Sequence, residues 1–223
     1  MKSNLIAVLL CLAAAVAAVA QKADKRLAES ATVLETITTK SEISNTAWSK
    51  AKCVLVYPSV KKVGIGIGMS YGRGVVCRTG ANMDGKWGAP IMYTLDTGSL
   101  GAQLGSTSTD YVLLIISQRG ADKILSGKLK LGAGASAVAG PSGANAAALN
   151  DPNVDILSYS QSKGLFAGAT LGSASMASDD SVNKDLHGKD IDAAQMVRDG
   201  NTPIPPAARP LIDVLKKASQ KGM

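Results

Sequence analysis

The sequence predicts an α+β domain: a curved, mainly antiparallel β-sheet or barrel-like sandwich with one helix before it and two or three after it. Three observations lead there. Short apolar runs of period two, rich in glycine and broken by turn residues, fill the stretch from Cys53 to Ala174, as expected of half-buried strands. Residues 22–39 instead repeat apolar side chains every three or four positions, and helical spacing returns after Asp179. Finally, the 223 residues are 46% hydrophobic and 18% charged, which is too apolar and too weakly charged for a disordered chain. The length fits one domain, at most two.

Taken in order, the first twenty residues carry Lys2, an apolar run from Leu5 to Ala20 and a small-x-small ending, Ala18-Val19-Ala20. This is the pattern of a cleaved secretory signal, and the run is short of the ~20 residues that span a bilayer. Cys11 lies mid-run behind Leu10, where lipidation needs a small residue, so a lipid anchor there is not expected. The protein is expected to be exported, to the periplasm or the extracellular space, and to associate with membranes. Removing residues 1–20 takes away Lys2 and no acid, lowering the net charge from +7 to about +6. A basic surplus permits contact with anionic surfaces without choosing among them.

Leu27, Ala31, Leu34 and Ile37 form the apolar stripe of the first helix. It either covers a sheet face or lies on a membrane with Lys22, Lys25 and Arg26 toward the headgroups. Val54 to Tyr57 reads as a strand stopped by Pro58. The alternation Val63-Gly64-Ile65-Gly66-Ile67-Gly68-Met69 reads as a second strand with one bare face, which must accept a sheet, a helix or a ligand at close range. Arg73 to Cys77, Trp87 to Leu95, Leu100 to Gly105 and Tyr111 to Ile116 supply further strands. Ala121 to Leu125 supplies one or two helical turns. Lys128 to Gly140 is a second small-residue alternation, and Asp155 to Ser160 with Gly164 to Ala174 reads as a hairpin. Helices are predicted over 180–187, 190–199 and 206–218, with Asp180 and Asp190 as N-caps and Gly188 and Gly200 as stops.

The order of blocks is specific. Val54-Leu55-Val56-Tyr57-Pro58, the glycine ladder to Gly74, Trp87-Gly88-Ala89-Pro90, Leu100-Gly101-Ala102-Gln103-Leu104-Gly105, Ser108-Thr109-Asp110, Gly140-Pro141, Tyr159-Ser160-Gln161-Ser162-Lys163-Gly164-Leu165-Phe166-Ala167-Gly168 and Leu186-His187-Gly188 follow one another. This order resembles the SYLF domain family, the lipid-binding module also called the Ysc-type actin-binding domain, over residues 25–219. The resemblance implies a non-enzymatic domain that binds membranes. For eukaryotic members that carry SH3 or FYVE modules it implies phosphatidylinositol preference and actin bundling. With its signal-like start and no such module, this chain looks like the secreted bacterial branch. The organisation expected is a signal at 1–20, a SYLF-like domain with its amphipathic helix at 21–189, and a packed helical extension at 190–223.

The candidate lipid-contacting residues are Lys22, Lys25, Arg26, Leu27 and Leu34 on the first helix, and Lys128 with Lys130 on a later strand. Those two lysines share a strand face and give either an anionic headgroup site or a solvated edge that discourages aggregation. Cys53 and Cys77, 24 residues apart, either pair, closing a loop worth ~3 kcal/mol, or remain two buried thiols. His187 is the single histidine, so multi-histidine zinc sites are excluded; a hydrolase built on it is a secondary alternative. Serines 158, 160 and 162 stand in no nucleophile elbow. There is no P-loop, and eight aromatic residues are few for a nucleic-acid stacking platform. The partner expected is an anionic lipid or membrane surface, with an envelope protein as the alternative, and no cofactor, metal or nucleic acid.

Overall fold

The computed structural model describes residues 23–40, 43–63, 67–96, 108–131, 135–140, 147–162, 165–168 and 174–220; side chains 61–63, 67–73, 128, 147, 162 and 165–168 are outside that description. It is the α+β architecture expected, a curled half-barrel sheet with helices at both ends of the chain. The elements are α1 (23–39), α2 (Asn45–Lys50), β1 (Cys53–Val63), β2 (Ile67–Cys77), β3 (Ile91–Asp96), β4 (Ser108–Ile115), α3 (Gln118–Leu125), β5 (Lys128–Lys130), β6 (Ala137–Ala139), α4 (Ala147–Asn150), β7 (Ile156–Ser162), β8 (Leu165–Gly168), β9 (Ser175–Ser178), α5 (Asp180–His187), α6 (Ala193–Asp199) and α7 (Arg209–Gln220). The strand order is β5-β9-β3-β2-β1-β4-β7-β6, with β8 paired to β7. Every pairing is antiparallel except β6 with β7.

Strand alternation divides the core into two. Cys53, Leu55 and Tyr57 of β1, Ile91, Tyr93 and Leu95 of β3, and Leu113 and Ile115 of β4 pack on one face with α3 and α6. Val54, Val56, Met92, Val112 and Leu114 pack on the other with α1, α2 and α7. Both faces of the central strands are therefore buried.

Pro58 does not end β1. The strand runs on to Val63, and the register against β4 shifts between Tyr57 and Val60. Ser59 adopts φ 53° there, and its backbone N–H donates to Asp110 Oδ1 at 2.7 Å. A bulge is where a strand tolerates a residue without an N–H; it also moves Val60 onto the face of Tyr57. Nor is the run Val63 to Met69 a single strand. Val63 pairs with Ile67 across the β1–β2 turn, so the alternation crosses a hairpin whose residues 64–66 lie outside the described set. The Lys128–Gly140 run likewise resolves into two short strands, β5 and β6. The strand predicted at 100–105 lies outside the described residues.

The bare face of the glycine ladder is explained at Gly74. A Cβ there would sit 3.1 Å from Leu27 Cδ2 and 3.5 Å from Leu211 Cδ2, so the missing side chain lets α1 and α7 settle together on β2. Of the three neighbours the sequence allowed, this position takes a helix pair.

Candidate functional site

The apolar stripe of α1 faces the sheet. Leu27, Leu34 and Ile37 are fully buried and Ala31 nearly so, and this accounts for the period of the stripe. Leu27 and Leu34 are thus unavailable to a bilayer while α1 is docked, which corrects the expectation that they meet lipid directly. Arg26 is also inside, 8% exposed, with Nη1 4.0 Å from Asp179 Oδ2. A headgroup cannot reach it without displacing the helix. Lys25 is exposed on the polar side of α1. Lys22 and the side chain of Lys128 lie outside the described residues. Lys130 is exposed on β5, at the sheet edge, while its neighbour Leu129 enters the core. Lys25 and Lys130 share no pocket, hydrogen bond or ion pair among the described residues.

Cys53 and Cys77 are directly opposed on β1 and β2, and their sulfurs are bonded at 2.06 Å. The bridge is buried beside Met83. His187, at the end of α5, donates from Nε2 to the Pro90 carbonyl at 2.9 Å. Burial, reinforced by the charge of Lys189 and opposed by the Pro90 bond, holds its pKa below the ordinary 6.5.

Polar side chains that sequence reasoning passed over prove to be structural centres. Asp155 opens β7 and is 1% exposed. Its Oδ1 accepts from the Ser117 hydroxyl and from Arg119 at 2.9 Å, and its Oδ2 from Ser136 N at 3.0 Å. Burial alone would raise this carboxyl, but those three donors and the Arg119 charge outweigh it and hold the pKa below the ordinary 3.8. Ser117 also caps α3 through Gly120 N at 2.9 Å, so one carboxylate ties the start of α3 to β6 and β7. The sequence signal was the aspartate next to Val154 and Ile156, a charge set in an apolar run.

The Trp87 corner gathers three basic side chains, Arg78, Lys86 and Arg209, that form no ion pair among the described residues. The Trp87 indole N–H donates to Ser219 Oγ of α7 at 3.0 Å. The Arg78 guanidinium lies 4.6 Å from its ring centroid, a cation–π distance, and is fixed by the carbonyls of Ala51 at 3.0 Å and Gly85 at 3.4 Å. Burial lowers the Arg78 pKa, yet an arginine stays charged in this range. In front of Trp87 a groove of about 650 Å3 runs between the Lys86–Gly88 turn, the Gly200–Ile204 connector and α7, which supplies Arg209, Ile212, Asp213 and Lys216. Gly200 closes α6 with φ 63°, and a Cβ on it would meet Thr79 at 2.9 Å; this close approach sets the connector against the turn.

The most specific block of the sequence, Tyr159 to Gly168, forms the β7–β8 hairpin. A family described as Ysc84, Las17-binding protein actin regulator, matches residues 96–218, more than half of the chain and the segment that contains this hairpin. The chain belongs to the Ysc84 family. The Ysc84 match runs from the end of β3 into α7. An SH3 domain-containing protein of Schizosaccharomyces pombe is 34% identical over 167 residues, covering 72% of this chain and 38% of its own length. LAS seventeen-binding protein 3 of Saccharomyces cerevisiae is 30% identical over 138 residues, 60% of this chain and 30% of the relative. SH3 domain-containing YSC84-like protein 1 of Homo sapiens is 29% identical over 177 residues, 78% of this chain and 50% of the relative. The chain thus spans half or less of the length of these Ysc84-type relatives.

Proposed function

We propose that the protein is a non-enzymatic binding domain of the cell envelope or secreted space that associates with anionic membrane surfaces. The observation that carries this reading is the uncompensated charge around Trp87. Arg78, Lys86 and Arg209 have no acidic partner among the described residues, in a chain of net charge +7. Each basic residue near an anionic leaflet contributes about 1 kcal/mol. The signal-like first twenty residues and the resemblance to a lipid-binding module support the same reading. Because Leu27 and Leu34 are in the core, contact in the docked state is electrostatic, and apolar insertion requires α1 to leave the sheet.

Flotation of the purified protein with neutral and acidic vesicles, the latter including phosphatidylinositol, at low and high salt tests this. Salt-sensitive flotation with acidic vesicles alone is expected, since a Debye length of about 3 Å at 1 M screens such contacts. Salt-resistant flotation with both kinds indicates release of α1 into the bilayer. No flotation under any condition transfers the assignment to a second reading, a protein-interaction module. That reading is favoured by the family description and by a relative named for binding Las17.

A further inference from the structure

Lys86, Arg209 and Lys216 reach the Trp87 groove from three directions. Lys86 precedes Trp87 in the turn. Arg209 and Lys216 are seven residues apart on α7 and so share one helix face. Asp213 is the one acid lining the groove, and it is paired with Lys216 at 3.3 Å. The Lys86 ammonium and the Arg209 guanidinium have no hydrogen-bond or ion-pair partner among the described residues, and Arg78 adds its charge across the Trp87 ring. The floor is different in kind. Trp87 and Ile212 are closed off at 3% and 1% exposure, so the apolar surface open to a ligand is that of exposed Pro203 and half-buried Ile204, and Asn201 and Thr202 supply polar atoms along the wall.

We propose that this groove binds one phosphate ester, with its anionic head held by Lys86, Arg209 and Lys216 and its organic body against Pro203 and Ile204. At physiological ionic strength charges more than about 8 Å apart are largely screened, so scattered surface lysines do not add, whereas cations lining one groove act together on a single ligand. A phosphate offers three oxygens to such a set. The arginine fork takes two of them side by side and the lysines act as point charges; a carboxylate has one oxygen fewer. The Pro203–Ile204 wall gives the ester's carbon skeleton a place that bare inorganic phosphate does not use. Where the ester is a lipid headgroup the inference rests on the membrane reading; a soluble ester fills the groove without it.

The test is titration of the purified protein with glycerol 3-phosphate and with inorganic phosphate, followed by the Trp87 indole N–H resonance, alongside flotation with phosphatidylcholine vesicles with and without phosphatidic acid. A saturable shift is expected with glycerol 3-phosphate and a weaker one with inorganic phosphate. In Lys86→Gln/Arg209→Gln affinity should fall at least about tenfold, the scale of one lost charge-assisted hydrogen bond. Both side chains are exposed, so the fold survives, and an unchanged melting temperature checks this; Lys86→Gln alone gives a second, milder variant. In Lys25→Gln/Lys130→Gln affinity should be unchanged. A non-saturating shift, or equal affinity in the groove variants, overturns the site. Saturable titration without flotation keeps the groove and removes the membrane reading; flotation unaffected by the groove variants, with no saturable titration, does the reverse.

Discussion

Asn183 pairs with Met92 as a strand residue would. Its Oδ1 accepts from Met92 N at 2.6 Å and its Nδ2 donates to Met92 O at 3.0 Å. β9 ends at Ser178, opposite Tyr93, and Asp179 N still reaches Met92 O at 2.9 Å; one turn into α5, a carboxamide continues the sheet. Buried at 1% exposure, it also fixes α5 against β3.

Asn183→Ala should therefore lower stability by about 2 kcal/mol, since it leaves Met92 N unsatisfied in the core while Met92 O keeps only its bond from Asp179 N. Asn183→Asp should be at least as damaging at neutral pH, because a carboxylate can accept from Met92 N but cannot donate to Met92 O. Urea unfolding midpoints of the two variants check the order.

Gly140 lies under the ring of Tyr159, and a Cβ on it would fall inside that ring. Gly140→Ala should cost about 3 kcal/mol by overpacking. Tyr159→Ala should cost about 3–5 kcal/mol by leaving a cavity. In the double variant the alanine methyl has room, so the double should be more stable than the sum of the two losses, by at least about 1 kcal/mol. Additive losses in urea would show that the two residues do not share the contact.

The Cys53–Cys77 bridge closes a 24-residue separation, and removing it should lower stability by about 3 kcal/mol through the unfolded chain. Cys53→Ala/Cys77→Ala and the reduced protein should have similar urea midpoints. The reducing agent should act slowly on the folded protein, since the cysteines are 0% and 1% exposed.

Acid should unfold the protein in two steps. Asp155 and His187 both have folded pKa values below their ordinary 3.8 and 6.5, so in each case the unfolded chain binds the proton first and stability rises with pH. His187 contributes fully above about pH 6.5 and its share is lost as pH falls through its depressed value. Asp155 contributes fully above about pH 4 and loses its share below that. Melting temperature against pH should lose the upper step in His187→Gln, which keeps a donor for Pro90 O. Asp155→Asn should lose the lower step and be less stable at neutral pH by about 3 kcal/mol.

How far the sequence could be read follows from how local each signal is. The α1 stripe and the stops at Gly188 and Gly200, at φ 69° and 63°, depend on residues within one turn, and the structure has them as expected. The caps are displaced by one or two residues: Asp179 and Asp192 cap α5 and α6 where Asp180 and Asp190 were expected, because neighbouring aspartates carry the same propensity and tertiary contacts choose between them. β9, Ser-Met-Ala-Ser, has no apolar run and is a strand because β3 and β5 flank it. α2 spans six residues, too few for a helical period to show. Arg26 reads as solvent-facing until Asp179 comes to meet it across the fold, and the Trp87 groove is assembled from three segments far apart in the chain.

The meeting of Leu27 and Leu211 over Gly74 has a consequence for the order of events during synthesis. Leu211, which completes this contact, lies in α7 and is made after every strand, so a nascent chain holding α1 and the whole sheet still has part of one sheet face uncovered. Contacts between segments so far apart in sequence are slow to form because the long loop must close first. Until α7 arrives, α1 is held by only part of its final surroundings, and an incomplete chain presents its helix and bare sheet face to whatever receives it.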